Sequence, residues 1–205
     1  MRKITYLILV VIFLVSCNKD VNLPQIQEKK NSVESYKMNK DEMNTLNMLG
    51  ESREKLAIYK LKLDDSTDIQ SLEAKIKVYS NGKLVHTIGG IAIGILKDDE
   101  KTHYLTFKHQ LQLETKNTYE WGIIFANGNG HSSGQSLYKQ SNQTNMSLFD
   151  QIEGKHEIVK GKEMALGAFV EGNDSMESVS ISPNIKDNER LLKNKYVYLL
   201  CLEAK

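Results

Sequence analysis

Gly130-His131-Ser132-Ser133-Gly134 has the G-x-S-x-G spacing of a nucleophile elbow. In that device two glycines permit a strained strand-to-helix turn, which presents a serine oxygen beside backbone N–H donors. Ser132 would then be the nucleophile of an acyl-transfer enzyme. The surroundings argue against this chemistry. Asn127-Gly128-Asn129 separates the preceding apolar run from the motif, and Gln135 to Asn142 carries no apolar helical stripe. A triad also needs an acid and then a histidine further along the chain. His156 is the only later histidine, and nothing nearby marks its acid. No Gly-Lys-Ser/Thr follows, so the same stretch is not a P-loop.

The 5 histidines raise the question of a metal site. His103 and His109 share a strand face but stand six residues apart, about 20 Å along a straight strand at roughly 3.3 Å per residue. They cannot share one ion. His86, His131 and His156 show no paired ligand spacing and no thiolate partner. Asp64-Asp65-Ser66-Thr67-Asp68 and Asp98-Asp99-Glu100 are acidic turns of the oxygen-rich kind that calcium takes. Neither has the spacing of an EF-hand loop, so solvated hairpin tips are expected. Tyr104, Tyr119, Trp121, Tyr196 and Tyr198 would form a sugar-stacking platform if several faced outward. Trp121, however, falls on an apolar alternating face, which is more often core than surface. Cys201 lies inside the apolar run Tyr196 to Leu202 and reads as a small core residue rather than a reactive thiol. No catalytic residue, metal ligand or cofactor is assigned from these patterns.

The composition agrees with a folded, non-nucleic-acid-binding chain. Of 205 residues, 27 are Lys or Arg and 26 Asp or Glu, 40% are hydrophobic, and only 2 are Pro. That is too apolar for disorder. A net charge of +1 leaves no concentrated basic face to displace counterions from phosphates. Two Cys cannot build a disulfide scaffold.

The start of the chain carries a different signal. Met1-Arg2-Lys3 precedes an apolar run from Ile4 to Val15, then Ser16-Cys17 and polar Asn18-Lys19-Asp20. As a helix the run would span about 18 Å, short of the roughly 30 Å hydrocarbon core of a bilayer. The order of parts is that of an export signal. Leu14-Val15-Ser16-Cys17 resembles the lipobox of bacterial lipoproteins. The resemblance implies that residues 1–16 are a signal peptide, that Cys17 is acylated on sulfur, and that Cys17 becomes the mature N-terminus. It reaches no further than the signal, and the mature domain is not matched to a named family. Two or three acyl chains hold a protein on a membrane where one is marginal. The expected location is therefore a cell membrane, lipid-anchored and facing outside the cytoplasm.

Behind the signal, residues 17–54 read as a polar tether. One short helix is expected at about 40–49, capped by Asn39, with Glu42 three residues on. Its apolar residues Met43, Leu46 and Leu49 suit docking on the domain. From Leu56 the apolar period becomes two. Ala57, Tyr59, Leu61 and Leu63 share one face, as do Ala74, Ile76 and Val78. Asn81-Gly82 between two such runs is a strong hairpin signal, pairing Val78 with Val85 and Ile76 with Thr87. Ile91, Ile93 and Ile95 follow, then Leu105, Phe107, Leu111 and Leu113, then Trp121, Ile123 and Phe125. Ile158-Val159, Ala165 to Val170, Val179-Ile181 and Tyr196 to Leu202 are the later candidates. About ten strands without a helix long enough for a crossover must pair antiparallel. The expected fold is all-β, one antiparallel β-sandwich of the jelly-roll or immunoglobulin-like class over residues 55–205. Asn127 to Gln151, rich in Asn, Gly, Ser and Gln, is the least core-like connection and the expected surface for binding.

By elimination, the function expected is a non-catalytic binding or interaction module at the cell envelope, with an envelope protein or a glycan as partner. The alternatives are a small-molecule-, glycan- or calcium-binding lipoprotein and, least supported, a serine hydrolase using Ser132.

Overall fold

A computed structural model of the chain describes residues 31–48, 56–64, 66–96, 100–111, 118–140, 144–173, 176 and 180–205. The expected signal peptide 1–16, Cys17 and the expected tether up to residue 30 lie outside the described residues, as do Leu49, Asp65, Asp98, Asp99, Leu113 and Val179.

Two antiparallel sheets pack face to face, as the period-two runs require. In chain order the strands are β1 (Ser32–Ser35), β2 (Leu56–Lys62), β3 (Ser71–Ser80), β4 (Lys83–Gly94), β5 (Thr102–Leu111), β6 (Thr118–Asn127), β7 (Gly130–Lys139), β8 (Met146–Gln151), β9 (Lys155–Glu157), β10 (Glu163–Gly172) and β11 (Tyr196–Ala204). The six-stranded sheet runs β7-β6-β5-β2-β1-β9 and the five-stranded sheet β4-β3-β11-β10-β8. Alternate residues of each strand meet between them. Tyr59, Leu61, Leu105, Phe107, Trp121 and Phe125 come from the first sheet; Leu72, Ile76, Val78, Phe169, Leu200 and Leu202 come from the second.

Strands β10 and β11 read as continuous apolar runs because both their faces are covered. A segment from Ile181 to Asn194, with a 3₁₀ turn at Ile185–Asn188 and the short helix α2 (Glu189–Leu192), buries Ile181, Leu191 and Leu192. Cys201 is fully buried in β11, where its Sγ donates to the Leu199 carbonyl at 3.6 Å. Burial raises its thiol pKa. The expected strand at Val179-Ile181 does not form over the described part: Ile181 is buried but lies in irregular chain.

Three local expectations differ from the structure. First, the first strand begins at Ser32, inside the stretch read as tether, and pairs with both β2 and β9. Val33, 0% exposed, is its only apolar residue. A strand of four residues needs few inward positions, so it left no readable period.

Second, the Asn81-Gly82 turn forms, with positive φ at both residues as a type I′ hairpin requires. The register beyond it slips. Ser80 pairs with Lys83 and Tyr79 with Leu84, but Val78 pairs with His86 and Ile76 with Ile88. The extra residue, Val85, is a bulge that brings Ile88 rather than Thr87 opposite Ile76, so an apolar side chain enters the core.

Third, Asn127 to Gln151 is not a loop. It holds β7 and β8, the edge strands of the two sheets. An edge strand covers little with its side chains, which is why β7 can be polar along most of its length.

The helix α1 (Lys40–Met48) forms where expected, closed by a capping box. The Asn39 Oδ1 accepts from the Glu42 amide at 3.0 Å, and Glu42 Oε2 accepts from the Asn39 amide at 2.8 Å. Of the residues expected to dock it, Met43 and Leu46 are half-buried and Leu49 lies outside the described residues. None of its residues is buried, and Met48 is 88% exposed. Its tie to the domain is the Tyr36 hydroxyl, which donates to Glu42 Oε1 at 2.7 Å. Among the described residues no helix is long and apolar enough to cross a membrane.

Candidate functional site

One side of the sandwich is closed and the other is open. On the closed side β4 lies against β7, so tightly that a Cβ on Gly134 would come within 2.9 Å of Ile91 Cδ1. On the open side a cavity of about 1140 Å³ runs between β8 and the chain around β1 and the start of β2. Tyr36, Leu56 and Ile58 form one wall, and Leu148, Phe149 and Ile152 the other. The floor reaches between the sheets to His109, Tyr119, Phe169 and Glu171.

Strand parity places those floor residues. His109 continues the inward series Leu105, Phe107 on β5, and its ladder partner on β6 is Trp121. Tyr119 is one inward step from Trp121. On the other sheet Phe169 pairs with Phe149 on one side and Tyr198 on the other. Glu171 is the next inward residue of β10, and only 3% of it is exposed. The imidazole of His109 therefore lies among aromatic rings. Its centroid is 4.4 Å from Trp121, 4.8 Å from Tyr119 in a stacked arrangement, and 5.0 Å from Phe169.

Glu171 is a buried carboxylate held by neutral donors. Its Oε2 accepts from Gln140 Nε2 at 2.8 Å and Thr144 Oγ1 at 3.0 Å. Its Oε1 faces His109 Nε2 at 3.9 Å. Burial disfavours the charged form and raises the Glu171 pKa; the hydrogen bonds from Gln140, Thr144 and Tyr119 pull the other way. Tyr119 is pushed up to about 12, first by burial and then by the charge of Glu171. Burial raises Tyr198 beside them as well. The site thus offers one carboxylate and one imidazole at the base of the cavity, beside a cluster of aromatic rings. A titratable group with a perturbed pKa in a cleft is the usual mark of a functional site.

The residues singled out from sequence are dispersed. Ser132 is exposed on β7, paired with Phe125 in a regular ladder, and the strand continues through the whole motif. The strand-to-helix turn of a nucleophile elbow is not formed there. His131 is exposed on the same strand, His86 stacks on Tyr138 at 5.4 Å, and His156 Nε2 lies 2.8 Å from the Glu153 carbonyl. Among the described residues no three His, Cys, Asp or Glu side chains group as metal ligands would. In the first acidic turn Asp64 Oδ1 accepts from the Ser66 amide at 2.9 Å, and Lys160 Nζ lies 3.5 Å from Asp68. Of the five aromatics, Tyr119, Trp121 and Tyr198 converge inside, around His109, rather than forming an outer platform.

Sequence reasoning missed Glu171, Gln140 and Thr144. A partial signal existed for the first: Glu171 is a lone charge at the end of the apolar run Ala165 to Val170, in phase with Phe169. The stretch 127–151, expected to be the binding surface, supplies Gln140 and much of one cavity wall.

No curated protein and no solved structure matches the chain. A family model does, over residues 32–204, from the first residue of β1 to the last of β11. That span contains every cavity residue, and the domain that the sequence alone matched to no named family has one: the chain belongs to the YgaN domain family.

Proposed function

We propose that the protein is a lipid-anchored cell-envelope lipoprotein whose sandwich binds a small ligand in the cavity between β8 and β1–β2. The observation that carries this reading is the cavity with Glu171 at its floor. Its volume, about 1140 Å³, is somewhat above the roughly 300–1,000 Å³ of ordinary small-molecule sites. Its lining mixes apolar and aromatic side chains such as Leu148, Phe149 and Phe169 with polar ones such as Ser35, Asn145 and Gln151, so both burial and hydrogen bonding are available to fix a ligand's orientation. The anchor rests on the Leu14-Val15-Ser16-Cys17 signal.

The test is the thermal midpoint of the purified chain across sugars, peptidoglycan fragments, calcium and small amphipathic molecules. A ligand raises the midpoint by mass action, and Ser147→Trp, which fills the cavity from exposed β8, removes the rise. A midpoint unmoved by the whole panel overturns the reading. For the anchor, Cys17→Ser releases the protein or leaves it uncut. If that variant still fractionates with membranes at the processed mass, the lipoprotein assignment is wrong.

A second reading, an envelope protein as partner, is favoured by α1, which forms without burying any of its residues. A pull-down from detergent-solubilised membranes that returns only the bait, with and without residues 39–48, counts against it.

A further inference from the structure

We infer that the cavity takes a ligand bearing a protonated amine, with its ammonium group against Oε1 of Glu171 and beside the rings of Tyr119 and Phe169. This rests on the reading of the cavity as a ligand site and adds its chemistry. Three observations point the same way.

The first is acceptor capacity. A carboxylate accepts at about four lone-pair sites. In Glu171 the amide of Gln140 and the hydroxyl of Thr144 both fall on Oε2, and the Tyr119 hydroxyl is a third donor to the carboxylate, one short of that capacity. Oε1 faces His109 Nε2 at 3.9 Å, too long for a direct hydrogen bond. A donor entering from the cavity reaches that oxygen.

The second is charge. The hydrogen-bond donors on Oε2 are neutral, and a buried carboxylate is costly until a cation compensates it. The ionisable side chains along the cavity are Glu171, Asp150 and Glu153 against Lys37 and His109. Three carboxylates against two basic side chains leave that balance acidic whichever form the imidazole takes. The third is the wall. Tyr119 and Phe169 line the cavity at the level of Glu171, and aromatic faces attract cations through their quadrupoles. An anionic ligand would meet the carboxylates, and a neutral one would leave the charge of Glu171 uncompensated.

Trp121 is the only tryptophan of the chain and stands 4.4 Å from His109, so its emission reads the floor of the cavity. The experiment titrates the full chain, in an uncharged detergent at pH about 8, above the imidazole range. The three probes share one ring and differ in charge: benzylammonium, benzyl alcohol and benzoate. Benzylammonium is expected to bind roughly tenfold tighter than benzyl alcohol, the effect of one charge-assisted hydrogen bond, and benzoate weakest. In Glu171→Gln the preference for benzylammonium over benzyl alcohol falls to near unity. If benzyl alcohol binds as tightly as benzylammonium, the cation inference is overturned while the cavity reading stands. The inference is equally overturned if Glu171→Gln keeps the preference, or if no probe changes Trp121 emission. Should Glu171→Gln fail to fold, the order of the three probes on the unaltered chain decides.

Discussion

Glu171 Oε1 and His109 Nε2 face each other across the two sheets at 3.9 Å, one from β10 and one from β5. The pair sits where the described aromatic cluster meets the large cavity, and neither residue is near the other in sequence. Its consequences for stability can be measured separately from any ligand.

The carboxyl of Glu171 has a pKa raised above the usual carboxylate range, mainly by burial. The folded state therefore holds its proton more tightly than the unfolded chain. By linkage, the stability this residue contributes is fully present below the unfolded pKa and is lost as pH rises through the folded one. The urea midpoint of the unaltered chain should fall over that window more than that of Glu171→Gln. The difference between the two proteins isolates Glu171 from every other titrating group. Parallel pH profiles would show that the carboxyl titrates alike in both states.

Gly167 leaves no room for a side chain. A Cβ there would overlap the hydroxyl of Tyr59, which comes from the opposite sheet, and would stand 3.0 Å from the Asp150 carbonyl. Gly167→Ala should destabilise by about 1–3 kcal/mol, as overpacking does. Tyr59→Phe removes a fully buried hydroxyl that forms no hydrogen bond among the described residues and should be neutral or mildly stabilising. In the double variant the loss from Gly167→Ala should shrink, a coupling expected of residues in contact. Strict additivity in denaturant melts would refute the steric account.

The cap of α1 is predicted to matter locally and not globally. Asn39→Ala removes an N-cap, worth about 1 kcal/mol to a helix. Because none of α1 is buried, hydrogen exchange of its amides should speed up severalfold while the global denaturant midpoint stays put. A matching drop in the global midpoint would mean the helix is part of the cooperative core.

Cys201 is 0% exposed, and burial holds its thiol in the protonated form. Iodoacetamide should leave it unlabelled in the folded protein and label it only along the urea unfolding transition. Rapid labelling in native buffer would show that the packing around Cys201 opens on its own.

The period-two runs were legible because core strands must alternate to bury one face. Ala57 to Leu63, Ala74 to Val78 and Trp121 to Phe125 therefore announce a sandwich on their own. The Asn81-Gly82 turn and the Asn39–Glu42 capping box were legible for a different reason: both are local, and their backbone chemistry needs particular residues at fixed spacing. What stayed hidden is whatever two distant strands decide together. β1 and β7 bury too little to leave a pattern. The bulge at Val85 exists because Ile88, not Thr87, must face a core built elsewhere. The cavity is the clearest case. Leu148, Phe149, His109 and Glu171 each obey an ordinary strand rule. Only the packing of one sheet on the other turns them into walls and floor, because strand parity says which way a side chain points and never what it meets.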